Sequence, residues 1–284
     1  MLTFFQAIII GLLQGVTELF PVSSLGHSVI LPALLGWHID QNSSTFLVFI
    51  IATHFTTALV LFIFFFKDWV LIIKGIFRSL KNRFIDPNDT YEKLGWMIII
   101  ATIPVGILGI LFQEKVQVLL GKAEYVSLFL ILNGFMLCGA EYLRKKKQVS
   151  INSDVDANVS KISWSDSVKV GVAECIALIP GFSRTGSTLG AGLFVGLDHE
   201  ASARFSFLLA TPVIFAASVL KLPELLQTDA NTFLPIIVGA LASALGAYMS
   251  IKFLSKYFKT KTLTPFAIYC IVAGVLSFLI LLVR

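Results

Sequence analysis

Gln14-Gly-Val-Thr-Glu18-Leu-Phe-Pro21-Val-Ser23-Ser24-Leu-Gly26-His27 interrupts one long apolar stretch, and Pro180-Gly-Phe-Ser183-Arg184-Thr185-Gly186-Ser187-Thr188 interrupts another. A proline interrupts each run, followed by Gly181 in the second, and serines come next to start a new helix. The apolar runs on either side are too short to cross a bilayer, which takes about 20 residues. Irregular backbone survives at membrane depth only when it is buried in protein or lines a wet cavity. Regions 1–36 and 166–196 therefore read as re-entrant helix–loop–helix hairpins. The membrane setting follows from composition. Hydrophobic types make up 56% of the 284 residues and charged types 14%, against roughly 25% charged in a soluble domain. This excludes a soluble enzyme, a disordered chain and a disulfide scaffold.

Outward from the two breaks, six segments are long and apolar enough to span: 43–66, 94–112, 125–143, 202–221, 233–251 and 264–283. The predicted fold is all-α, a polytopic membrane protein with six full transmembrane helices and two re-entrant hairpins. The net charge of +5 reads as basic loops on one membrane face and not as a nucleic-acid surface. Lys67, Lys74, Arg78, Lys81, Arg83 and Lys93 gather in 67–93. Arg144, Lys145, Lys146, Lys147 and Lys161 lie in 144–165, and Lys252, Lys256, Lys259 and Lys261 in 252–261. The intervening loops 37–42 and 222–232 carry no lysine or arginine, and 113–124 is balanced. The alternation holds only if each hairpin leaves and re-enters on one side. Both termini then face outward, 69–85 is an amphipathic surface helix, and 144–165 is a flexible cytoplasmic linker. The first twenty residues hold Gln14 and Glu18 and no basic leader, unlike a cleavable signal. Cys138, Cys175 and Cys270 read as small apolar core residues.

The halves resemble each other. Pro21, Ser24 and Ser28 align with Pro180, Ser183 and Ser187, and Phe49-Ile-Ile-Ala-Thr53 with Phe207-Leu-Leu-Ala-Thr211. The reading is an inverted repeat: 1–143, linker 144–165, then 166–284. Such repeats place a site at their interface, where broken helices point their ends.

The polar residues at the breaks suit a phosphate. Glu18 is costly inside an apolar stretch and needs a cation, a metal or a wet cavity; a buried structural carboxylate is the alternative. Gln14 lies four residues earlier, on the same helical face. Ser23, Ser24, Gly26 and His27 follow. In the second break, Ser183, Thr185, Gly186, Ser187 and Thr188 supply hydroxyl and N–H groups at a helix start, which binds phosphate. Arg184 adds a bidentate fork, or else serves only to neutralise Glu18. His54 reads as a satisfied core histidine, Glu174 is left open between cavity and core, and Glu141 and Arg204 read as snorkelling or locally paired. The phenylalanines read mainly as lipid-facing and packing residues.

These two clusters, in order and together, resemble the signatures of the undecaprenyl-pyrophosphate phosphatases of the bacitracin-resistance type, and the resemblance covers the whole chain. It implies a multi-pass enzyme of the bacterial plasma (inner) membrane whose site opens outward. The reaction would remove the terminal phosphate of undecaprenyl pyrophosphate, recycling the lipid carrier for cell-wall synthesis and conferring bacitracin resistance. It also implies dependence on a divalent cation, Mg2+ or Ca2+. Gln14 stands where many members have a first glutamate, Leu25 where a threonine is common, and Thr185 where serine is usual. The partners expected are the lipid substrate and the bilayer, with no nucleic acid; a homodimer stays open.

For such chemistry Ser24 is the expected nucleophile, ahead of Ser23 or direct attack by water. His27 is the expected base or acid, Arg184 the phosphate clamp, and Glu18 the metal ligand or the group orienting His27, with Gln14 as a weak metal ligand. The rivals are a lipid-phosphate flippase built on the same repeat and a non-catalytic binding module. A binding module has no use for a nucleophile beside a base, and a dual role in hydrolysis and flipping stays open.

Overall fold

The structure, a computed structural model, describes residues 2–41, 43–119, 122–145, 155–226 and 230–283. Among these it is all-helical, with no strand. Two short helices open the chain, α1 (Phe4–Leu19) and α2 (Ser24–Leu34). Then come α3 (Ser44–Phe64), α4 (Phe66–Asn82), α5 (Thr90–Leu119) and α6 (Ala123–Lys145). The second half holds α7 (Val155–Ser160), α8 (Trp164–Glu174), a 3-10 turn (Cys175–Leu178), α9 (Arg184–Val195), α10 (His199–Leu226), α11 (Ala230–Tyr257) and α12 (Thr264–Val283).

Six helices contain apolar segments long enough to span: Ser44–Phe64, Thr90–Phe112, Ala123–Lys145, His199–Val219, Phe233–Tyr257 and Thr264–Val283. They coincide with the six expected segments to within four residues at each end, except that the fifth runs six residues past 251. α1, α2, α8 and α9 have 16, 11, 11 and 12 residues. At 1.5 Å per residue, each is shorter than the ~30 Å hydrocarbon core.

Helix packing follows a two-fold pattern. α1 lies along α11, and α8 along α5; α3 meets α10, and α6 meets α12. Each first half-helix therefore packs on a long helix of the other half. Small residues permit this closeness, as expected where helices associate without a hydrophobic drive. A Cβ at Gly11 or Gly15 would stand 2.2 and 2.0 Å from the carbonyl oxygens of Gly239 and Ser243. One at Gly171 would stand 2.1 Å from that of Ala101.

Polar ties close the bundle's ends. Arg78 on α4 pairs with Asp89 and Glu92, and the Trp96 indole donates to Ser79 at 2.8 Å. The expected linker is partly folded. Residues 146–154 of it lie outside the described residues, but α7 buries Asp156, Asn158 and Val159. Arg204 joins Asp156 of α7 to Asp68 of α4 (2.9 Å). Asp156 is fixed by this pairing, so α7 is packed structure and not a free tether. Glu141 accepts from His199 Nε2 and from the Leu263 N–H, both at 2.6 Å. Cys270 is buried as expected, whereas Cys138 faces outward.

Candidate active site

The two breaks meet inside the bundle. A Cβ at Gly26 would stand 3.3 Å from Gly181 Cα. Asn133 of α6 joins the two. Its amide donates to the Pro21 carbonyl and its oxygen accepts from the Ser183 N–H, both at 3.0 Å. Thr185 Oγ1 donates to the Glu18 carbonyl at 2.9 Å, tying α9 to the end of α1.

Each new helix begins on a serine cap. Ser23 Oγ accepts from the Gly26 N–H at 3.2 Å, and Ser183 Oγ from the Gly186 N–H at 3.0 Å. Ser23 holds φ at 70° and is one of two non-glycine residues with positive φ among the described residues. Such backbone costs of order 1–3 kcal/mol and tends to occur at functional sites. In the second break the positive φ falls instead on Gly181, at 105°, where glycine adopts it without strain.

Both helix starts open on one cavity of about 290 Å³. Glu18, Ser23, Ser24, His54, Glu174, Ser183 and Arg184 face it, and Ile50, Ile51, Val105, Leu178, Val213 and Ile214 form apolar wall. Glu18 is the hub, and its two oxygens take four donors. Oε2 accepts from Ser24 Oγ at 2.5 Å and faces His54 Nε2 at 3.1 Å. Oε1 accepts from Arg184 Nη2 at 3.0 Å and Nε at 3.3 Å. The compensation required of a carboxylate at this depth is thus supplied by a guanidinium, an imidazole and a hydroxyl. Arg184 keeps Nη1 buried and without a partner.

His54 corrects the sequence reading. It is not a core histidine; Nδ1 meets the Ile50 carbonyl at 2.8 Å while Nε2 meets Glu18. Both nitrogens face acceptors, which an imidazolium satisfies. Its sequence signal was weak, a lone histidine mid-span with no motif around it. His27 is also displaced from its expected role. Its Nδ1 donates to the Ser23 carbonyl and its Nε2 accepts from the Tyr269 hydroxyl, each at 2.7 Å. It does not line the cavity, so it braces the strained cap and is not beside the Ser24 hydroxyl.

Gln14 is buried away from the cavity, its carbonyl taken by Ser243 Oγ at 2.5 Å and Thr57 Oγ1 at 3.2 Å. That placement does not suit a metal ligand. Several expected phosphate contacts are likewise committed elsewhere. The Gly26 and Gly186 N–H groups serve the caps. Ser187 Oγ donates to the Ser183 carbonyl at 2.9 Å, and Thr188 Oγ1 lies 2.6 Å from Ser206 Oγ. The first-turn N–H groups of Ser24, Leu25, Arg184 and Thr185 remain as the donors that helix starts offer an anion. Glu174, left open by the sequence, faces the cavity.

The profile of the family described as bacitracin resistance protein BacA matches residues 7–276. An undecaprenyl-diphosphatase of Mycolicibacterium paratuberculosis is 43% identical, covering 100% of this chain and 99% of its own. Undecaprenyl-diphosphatase 2 of Chromobacterium violaceum is 41% identical, over 98% and 99%. Its namesake in Frankia alni is 38% identical, over 97% of each chain. A family match that spans the pair of breaks, the six long helices and the cavity between them leaves one conclusion: this chain is a multi-pass membrane protein belonging to the BacA family of bacitracin resistance proteins.

Proposed function

We propose that the chain hydrolyses undecaprenyl pyrophosphate to undecaprenyl phosphate and inorganic phosphate, with Ser24 as nucleophile. The observation that carries this is the Ser24 hydroxyl at 2.5 Å from a Glu18 carboxylate that Arg184 and His54 hold in place. That hydrogen bond suits Glu18, and not His27, to accept the hydroxyl proton. The Ser24 oxygen then bonds the terminal phosphorus as the bridging P–O bond breaks, releasing undecaprenyl phosphate. Water cleaves the phosphoserine and restores Ser24. Arg184 Nη1 and the first-turn N–H groups of α2 and α9 are aimed where charge develops on the phosphoryl oxygens, the usual main source of catalysis in phosphoryl transfer. The apolar wall accepts the start of an isoprenoid chain.

A divalent cation fits this cavity, because its wall carries a carboxylate, Glu174, with no donor of its own; when bound, Mg2+ or Ca2+ would offset charge on the pyrophosphate oxygens. The loop charges support a plasma-membrane enzyme with the cavity opening to the outer face and both termini external. Cysteine labelling in cells should then modify position 40 from outside and position 256 only after permeabilisation. Purified protein in detergent should release phosphate from undecaprenyl pyrophosphate and yield a phosphopeptide at Ser24 on rapid quench. Absence of phosphate release from the intact, monodisperse protein would overturn the proposal.

A further inference from the structure

The two halves differ in the residue nine positions before each serine cap: Gln14 before Ser23 and Glu174 before Ser183. α1 runs on as regular helix to Leu19, so Gln14 sits mid-helix against α3 and α11. α8 stops at Glu174 and the chain tightens into the 3-10 turn. This leaves Glu174 at the helix end, on the cavity wall. It is 0% exposed, and neither carboxylate oxygen has a hydrogen-bond partner. A buried carboxylate with no donor carries an uncompensated desolvation cost. A structural role would show as bonds to its neighbours, and there are none. Glu18 is the opposite case, since four donors fill the roughly four lone-pair sites a carboxylate offers.

We infer that Glu174, and neither Glu18 nor Gln14, is the residue through which this cavity holds a hard divalent cation. Its second repeat thereby supplies the metal carboxylate. Among the described residues no three His, Cys, Asp or Glu side chains stand together as a metal cage. That excludes a closed all-protein zinc site there and fits Mg2+, which binds through one or two carboxylates and completes its shell with water and phosphate oxygens. The substrate's share of that shell rests on the phosphatase reading; the unpartnered carboxylate does not.

The test uses the full chain in detergent with methylenediphosphonate as an uncleaved pyrophosphate mimic, titrated with Mn2+ and followed by loss of the free-ion EPR signal. Glu174→Gln should weaken Mn2+ binding at least ~10-fold. Glu174→Cys, which needs no charge to be buried, should gain affinity for Cd2+ relative to Mn2+ over the unaltered chain. Mn2+ affinity unchanged in Glu174→Gln, or no gain for Cd2+ in Glu174→Cys, would overturn the assignment. If the unaltered chain still releases phosphate from undecaprenyl pyrophosphate, the phosphatase reading survives that failure. Glu174-dependent Mn2+ binding without phosphate release would uphold the cation site and end the phosphatase reading instead.

Discussion

The first and second breaks use the same cap to present opposite chemistry. Ser23 and Ser183 each accept the N–H three residues on. The residue immediately after the cap is Ser24 in one half and Arg184 in the other. Glu18 accepts from both, one on each oxygen. Alignment of the prolines pairs Ser24 with Ser183, but the caps pair Ser24 with Arg184, one residue out of step. The one-residue slip is what makes the two breaks chemically different. A symmetric pair would present two hydroxyls or two cations, whereas this pair presents a hydroxyl and a guanidinium to the two oxygens of one carboxylate. Strain is confined to the first break, which places a positive φ on a serine where the second places it on a glycine.

Removing Ser24 should break this pairing most severely. Ser24→Ala is expected to lower phosphate release about a thousand-fold, some 4 kcal/mol of transition-state stabilisation, while lipid binding stays within a few-fold by direct titration. Retention of a tenth or more of the activity would transfer the attack to Ser23 or water. Next in size, Arg184→Lys keeps charge but loses the planar fork and should cost at least ~10-fold in turnover. Combined with Ser24→Ala it should add little, because groups acting on one step are strongly non-additive.

The two histidines sharpen the comparison further. His54→Ala should cut turnover about five-fold, near 1 kcal/mol. His27→Ala should affect thermal unfolding in detergent more than turnover, since it loses the Tyr269 and Ser23 bonds. A His27 change that costs more turnover than the His54 change would restore His27 as the reacting base. The smallest effect belongs to Asn133, which joins the breaks without touching the cavity. Asn133→Leu should lower stability by about 1–2 kcal/mol, at the ~0.6 kcal/mol typical of a hydrogen bond between membrane helices, with a modest loss of turnover.

Much of the fold is legible in the sequence. Span lengths came from runs of apolar residues, because hydrocarbon thickness sets a length that composition reports directly. The breaks were visible because proline, glycine and serine act locally on the backbone. Glu18 and Arg184 stood out because charge within an apolar stretch demands compensation, and their pairing was foreseeable as one of two options. The reading of a flexible linker fails at α7. Its polarity suggested solvent, whereas Asp156 is consumed by Arg204 from a segment 48 residues away in sequence.

Local patterns could not separate His27 from His54, or Gln14 from Glu174. Three-residue spacing placed His27 on Ser24's side of the helix, but a carbonyl in the strained cap and a tyrosine on α12 claim both ring nitrogens. His54 carries no motif and gains its role only because α3 passes the cavity. Gln14 looked like a site residue by spacing from Glu18, yet Thr57 and Ser243 surround it. Periodicity and local backbone chemistry specify which segments span, where helices break and which residues cap them. Which side chain turns into the cavity depends on partners supplied by other helices, and no spacing within one segment encodes those.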